Sequence, residues 1–193
     1  MNDSRLLIQH YLPVVEQQLS VSRYNHCLRV AEIAAQLAVA HGYAEPDDAY
    51  LAGIVHDITK QKKSEFHLQL FAENHFDHTG IPSQAYHAFS AVFVLQDLLQ
   101  NTEILQSVQS HTLGHGNMSL LEQIVYAADF LGSEYSCRQQ QYPQWLQKTL
   151  GDLRYGIWLK SSYSIRNLVE NGEPIHPRSL DTYNFSLSGG AFR

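Results

Sequence analysis

The stretch Tyr50-Leu51-Ala52-Gly53-Ile54-Val55-His56-Asp57-Ile58-Thr59-Lys60 decides how this chain is read. An apolar run ends in an imidazole and a carboxylate side by side. Burying a carboxylate costs several kcal/mol unless a cation pairs with it. Lys60 could serve, and so could a metal ion. Pro46 with Asp47 and Asp48 opens a helix upstream, on which Ala49, Ala52 and His56 share a face. Asp57 falls one step round, beside Gly53.

Working outward, nearly every segment predicts helix. Ser4 to Leu19 carries Leu7, Tyr11 and Val15 at helical spacing, with Pro13 expected to kink or split it. Ser22 is the expected N-cap of a second helix ending near His41-Gly42, in which His26, Val30, Ile33 and Leu37 form one stripe. Residues 61–80 are polar, with a short helix over Ser64 to Asn74, and His67, His75 and His78 read as surface or loop residues. Pro82-Ser83 starts a helix through Leu99 that aligns His87, Ala91, Val94 and Leu98. Asn101 or Thr102 caps another, with Ile104, Val108 and His111 in line. Ser119-Leu120-Leu121-Glu122 is a capping box, opening a helix with Leu121, Val125 and Asp129 at four-residue steps. Pro143 begins a last helical region, interrupted at Gly151 and Gly156 and ending at Gly172. The tail, 173–193, with Pro174, Pro177 and Gly189-Gly190, reads as extended coil. The fold class is all-α, a single helical domain over 1–193 with its core at about 20–172.

Composition agrees. Among 193 residues, 44% are hydrophobic and 17% charged, values of a soluble globular chain. Lys and Arg number 13 against 19 Asp and Glu, a net charge of -6, which gives no support to a nucleic-acid partner. No run approaches the ~20 apolar residues that cross a bilayer, so no membrane partner is expected. Met1-Asn2-Asp3-Ser4-Arg5 does not begin a signal-peptide core. Two isolated cysteines, Cys27 and Cys137, suit neither a disulfide framework nor a zinc cluster, and cytoplasmic is the default location. The unusual figure is 11 His.

Five helices thus place a metal-capable side chain where packing prefers Leu: His26, His56-Asp57, His87, His111 and Asp129. Taken singly, each has a plainer reading, a hydrogen-bonded core His or an Asp capping a helix or paired with Arg. Together they are harder to satisfy, because each buried unpaired polar group costs ~1–3 kcal/mol. A shared cation satisfies all six. Four His and two Asp suit first-row transition ions. They also exceed what one catalytic ion accepts with a position open, so two ions bridged by Asp57 fit better.

The order His26, His56-Asp57, Asp129 resembles the H…HD…D signature of the HD-domain phosphohydrolases, an all-helical superfamily. Gly53 to Lys60, His111-Thr112-Leu113-Gly114 and Ile124 to Asp129 resemble the "GLLHDxxK", "HTTG" and "IIYxAD" of the YqeK family, as do Ser164 to Gly172, Ile175-His176-Pro177 and Tyr183-Asn184. The resemblance spans about residues 20 to 185. It implies a symmetrical bis(5'-nucleosyl)-tetraphosphatase, in which a metal-bridging hydroxide attacks an inner phosphate of diadenosine tetraphosphate and two ADP result. It also implies two divalent transition-metal ions, iron first, with manganese, cobalt or nickel as alternatives. One ion would take His26, His56, Asp57 and Asp129; the other would share Asp57 and add His87 and His111. His56, Asp57 and Lys60 are the expected catalytic residues. Arg23, Lys60, Thr112, His115 and Arg138 are the expected substrate contacts. His115 stands where the family commonly has Arg after "HTTG", and only Arg138 remains of its "EPxR", so the departures fall at the substrate rim.

The partner expected is a small nucleotide, with a homodimer left open. Other HD-domain reactions keep the same ligands: a nucleotidase, a deoxynucleotide triphosphohydrolase or an alarmone hydrolase. A helical metal-binding module without catalysis is the non-enzymatic alternative.

Overall fold

The computed structural model describes residues 4–188, so Met1 to Asp3 and the Gly189-Gly190 pair lie outside the described residues. Among the described residues the regular structure is helical, without strands. In order they are α1 (Ser4–Gln18), α2 (Val21–Ala40), α3 (Pro46–Val55), α4 (Ser64–Glu73), α5 (Tyr86–Leu95), α6 (Thr102–Ser110), α7 (Leu120–Leu131), α8 (Glu134–Cys137), α9 (Tyr142–Gly151), α10 (Leu153–Glu170) and α11 (Pro177–Leu187). A 3-10 turn, Ser83–Ala85, precedes α5.

Helices α3 and α7 are the middle of the bundle. α3 lies against α1, α2, α6 and α7, while α7 lies against α2, α6, α9 and α10. Small residues permit the closest crossing. A Cβ on Gly53 would fall 2.5 Å from Ala31 Cα, so only glycine lets α3 settle on α2 there. Leu51, Ile54, Val55, Leu121, Ile124 and Val125 are wholly buried in this seam. The HD pair therefore ends a helix that is buried along most of its length.

Several expectations need correction. α1 runs unbroken through Pro13. Pro13 and Gln9, whose carbonyl the proline leaves unpartnered, are both exposed, where water can satisfy it. Ser20, not Ser22, caps α2, its hydroxyl accepting from Arg23 N at 3.4 Å. The helix expected over 82–99 ends at Leu95 and is only 3-10 at its start. Gly156 does not interrupt α10; it admits Thr149 and Ala127 against the helix instead. The supposed extended tail contains α11, which buries hydroxyls rather than an apolar stripe: Ser179, Thr182 and Ser186.

Candidate metal centre

Helix ends prepare the imidazoles. Carbonyls of a helix's last turn have no intrahelical partner. His56 follows α3, and its Nδ1 donates to Gly53 O at 2.7 Å. His111 follows α6, and its Nδ1 donates to Val108 O at 2.6 Å. Within α2, His26 Nδ1 donates to Gly132 O at 3.1 Å, a carbonyl that also accepts from Arg29 Nε at 3.0 Å. A carbonyl can only accept, so each Nδ1 holds the hydrogen. In the neutral ring Nε2 is then a bare lone pair, the form in which histidine ligates a metal.

These nitrogens converge with the two carboxylates. His26 and His56 bring Nε2 atoms to 3.3 Å of each other, and His87 and His111 bring theirs to 3.1 Å. Asp129 Oδ1 lies 3.1 Å from His26 Nε2 and 3.6 Å from His56 Nε2. Asp57 faces both groups. Its Oδ2 is 3.5 Å from His56 Nε2 and 3.8 Å from His26 Nε2; its Oδ1 is 3.3 Å from His87 Nε2 and 3.6 Å from His111 Nε2. That Oδ1 is buried and, among the described residues, accepts no hydrogen bond. His26, His56 and Asp129 form one trio with ligand atoms within 4.8 Å of one another, and His56, Asp57 and His111 form a second. A crowd of acceptors with an orphaned carboxylate oxygen fits divalent cations, and the N/O donor set fits first-row transition ions. The six residues picked from the stripes are thus brought together.

Electrostatics follow the same layout. Burial raises the Asp57 carboxyl, but the charge of the adjacent His56, with the other imidazoles around it, outweighs burial and holds it well below the usual carboxylate range. Asp129 is likewise raised by burial, then drawn well down by Lys160 and by His26 and His56. Burial lowers His56, yet Asp57 and Asp129 carry it up to about 9. Burial and the neighbouring His111 push His87 well below the usual imidazole value, and burial lowers His111 as well.

A cavity of ≈ 380 Å³ opens over Asp57, His111 and Asp129, with Arg23, Lys60 and Lys160 among its walls. Arg23 Nη1 donates to Asp57 Oδ2 at 2.9 Å. Lys60 Nζ lies 3.2 Å from His87 Nε2, its pKa lowered by burial. Thr112 Oγ1 is 3.2 Å from His87 Nε2 and 3.1 Å from His111 Nε2. The remaining two expected contacts stand apart from the cavity walls. His115 is hydrogen-bonded to Glu122 at 2.8 Å, and exposed Arg138 is paired with Glu134.

Lys160 was missed. From α10 its ammonium donates to Asp129 Oδ2 at 2.5 Å and to His111 O at 2.6 Å, and it stands 4.3 Å from the centre of the Tyr126 ring. It follows Gly156 and Ile157 on a buried face, so a cation on an apolar stripe was the available signal.

The HD domain family model matches residues 23–132, which include all six converging residues. A symmetrical bis(5'-nucleosyl)-tetraphosphatase of Halalkalibacterium halodurans is 31% identical over 177 residues, covering 90% of this chain and 93% of the relative. A protein of the same name from Bacillus subtilis is 29% identical over 185 residues, covering 92% and 96%. A solved HD superfamily hydrolase from Clostridium acetobutylicum superposes with a TM-score of 0.84 at 22% identity, over 94% of this chain and 97% of that one, and shares the fold. The family match and the His/Asp cluster agree on a site for divalent metal. The chain belongs to the HD domain family, among relatives named symmetrical bis(5'-nucleosyl)-tetraphosphatases.

Proposed function

We propose that this enzyme hydrolyses diadenosine tetraphosphate symmetrically to two ADP. The observation that carries the reading is Asp57, whose two oxygens face two separate pairs of imidazoles beneath a cationic cavity. The names of the relatives supply the substrate class. His26, His56, Asp57 and Asp129 would hold one ion, and Asp57, His87 and His111 the other. Iron is the preferred metal, with manganese, cobalt or nickel as substitutes. Divalent ions held there would make water nucleophilic near neutral pH and would draw charge from phosphoryl oxygens.

The chain's own residues do the rest. Asp57 and Asp129 stay ionised, and the carbonyls behind His26, His56 and His111 keep each Nε2 aimed inward. Arg23 and Lys60 line the cavity where the flanking phosphates must lie, and their fixed charges oppose the charge that develops on the phosphoryl oxygens. Thr112 supplies a hydroxyl beside them, while His115 and Arg138, held by Glu122 and Glu134, are left out of the phosphate grip. The oxygen of water joins one inner phosphorus, and the central bridging oxygen leaves with the other ADP.

Metal-replete protein incubated with diadenosine tetraphosphate should give ADP as sole product. ATP with AMP, or no cleavage alongside hydrolysis of another nucleotide in a panel, overturns the proposal.

A further inference from the structure

A second cavity, ≈ 530 Å³, opens beside the first and shares Phe130 and Ser164 with it. Its walls include three aromatic rings. Phe130 is 5.3 Å from Tyr163 between ring centres, and Tyr135 is 5.7 Å from Tyr163. Trp145 backs them from the core, 5.5 Å from Tyr163. Tyr135 packs on Phe130 and Tyr163 yet is 51% exposed, leaving part of its ring open to the cavity. Arg166 stands 5.9 Å from the Tyr163 ring, and Asn167 and Glu170 complete the polar edge.

From these we infer that the Tyr135–Tyr163 cavity is a nucleobase site, holding one of the two bases of a dinucleoside polyphosphate. Phe130 directly follows Asp129 in α7, so the aromatic wall begins where the metal centre ends. A ligand with phosphates over Asp57 and Asp129 and a flat ring at its end can cross Ser164 and lie against Tyr135. Stacking on aromatic side chains suits any base. The Asn167 amide both donates and accepts, and Glu170 accepts, which matches the amino and ring-nitrogen edge of adenine. A third cavity, ≈ 500 Å³, also shares Ser164 and is walled by Leu113, Leu168 and Pro174. It is the natural place for the other nucleoside. Dinucleotides would then be preferred over mononucleotides because two side cavities flank one phosphate channel.

This inference rests on the dinucleoside reading, and a pair of measurements separates the two. Kinetics of Tyr135→Ala and Tyr135→Phe are compared with wild type on diadenosine tetraphosphate and on adenosine 5'-tetraphosphate, which has one base. Calorimetric titration follows binding of the dinucleotide to the same three proteins, free of metal. Tyr135→Ala should lower the ratio of kcat/KM, dinucleotide over mononucleotide, about ten-fold through KM, and weaken dinucleotide binding about as much. Tyr135→Phe, which keeps the ring, should hold both near wild type. A wild type that binds the dinucleotide through Tyr135 without yielding ADP sinks the proposed reaction and leaves the base site standing. An unchanged ratio with unchanged binding in Tyr135→Ala, or equal losses on both substrates, overturns the base site.

Discussion

Lys160 Nζ and Asp129 Oδ2 are 2.5 Å apart, so the carboxylate that turns Oδ1 toward His26 is anchored from behind by a buried ammonium. The same ammonium holds His111 O, tying two of the converging elements to α10. Partners behind a metal ligand set its orientation, and losing one typically costs 10–100-fold in affinity or activity, roughly. Lys160→Met should therefore retain the fold and bind metal about 10–100-fold more weakly. Metal content after dialysis against graded chelator measures this; wild-type retention would show the anchor to be dispensable.

Metal uptake should expel a proton. His56, carried up to about 9 by its carboxylate neighbours, is protonated in the metal-free protein at neutral pH, whereas ligation requires the neutral ring. Affinity should rise with pH until about 9 and then level off. Calorimetry in buffers of differing ionisation enthalpy counts the protons released at pH 7.5. Zero release contradicts the expectation.

The same group sets a stability trend in the metal-free protein. A folded pKa above the unfolded value stabilises fully below the unfolded pKa, and that stability is lost as pH climbs through the folded one. For His56 the window runs from 6.5 to about 9. Denaturant midpoints of metal-free protein should fall across that window more steeply than those of His56→Gln, measured in parallel.

Glu122 works in the opposite direction. Burial raises its carboxyl, but the Ser119 N–H and His115 outweigh burial and bring it below the ordinary value. Its contribution is present above the unfolded pKa and disappears as pH falls through the lower folded one. Glu122→Gln should lower the melting temperature at pH 7 and have a shrinking effect in acid. An equal loss at pH 7 and at low pH would refute the linkage.

Gly53→Ala tests the seam beneath the HD pair. Its Cβ would press to 2.5 Å on Ala31 Cα and 2.6 Å on Ala31 N, backbone that cannot rotate away. Overpacking of this kind costs ~1–3 kcal/mol, roughly 2–12 °C for a domain of this size. Because Gly53 O also orients His56, metal affinity should drop together with melting temperature in a thermal-shift series with and without metal.

The sequence was most readable where a polar residue broke an apolar stripe. His26, His87, His111 and Asp129 each stood at helical spacing among Val, Ile and Leu, and the capping box at Ser119 located α7 accurately. Lys160 escaped because a lone lysine on a helix is ordinarily a solvated one; the packing of Gly156 on Ala127 and Thr149 shows that its face is inside. α11 escaped for another reason. Its inward positions are Ser179, Thr182 and Ser186, which carry no hydropathy signal, although His176 as N-cap and Pro177 behind it were visible start marks. The grip assigned to His115 and Arg138 needed distances that spacing does not contain, since each is held by a glutamate near it in the chain.

α11 reaches back to the loop after His111: Thr182 Oγ1 donates to Leu113 O at 3.1 Å, and Arg178 Nε donates to Gly114 O at 3.0 Å. Gly114 has φ +62, and a side chain there would run into Thr182. A fragment trimmed to the family-matched stretch, 23–132, would hold all six converging residues yet lack both this clasp and Lys160. Such a minimal piece would be a poor chelator, because Lys160 and α11 brace a site to which, among the described residues, the segment after 132 brings no converging His or Asp.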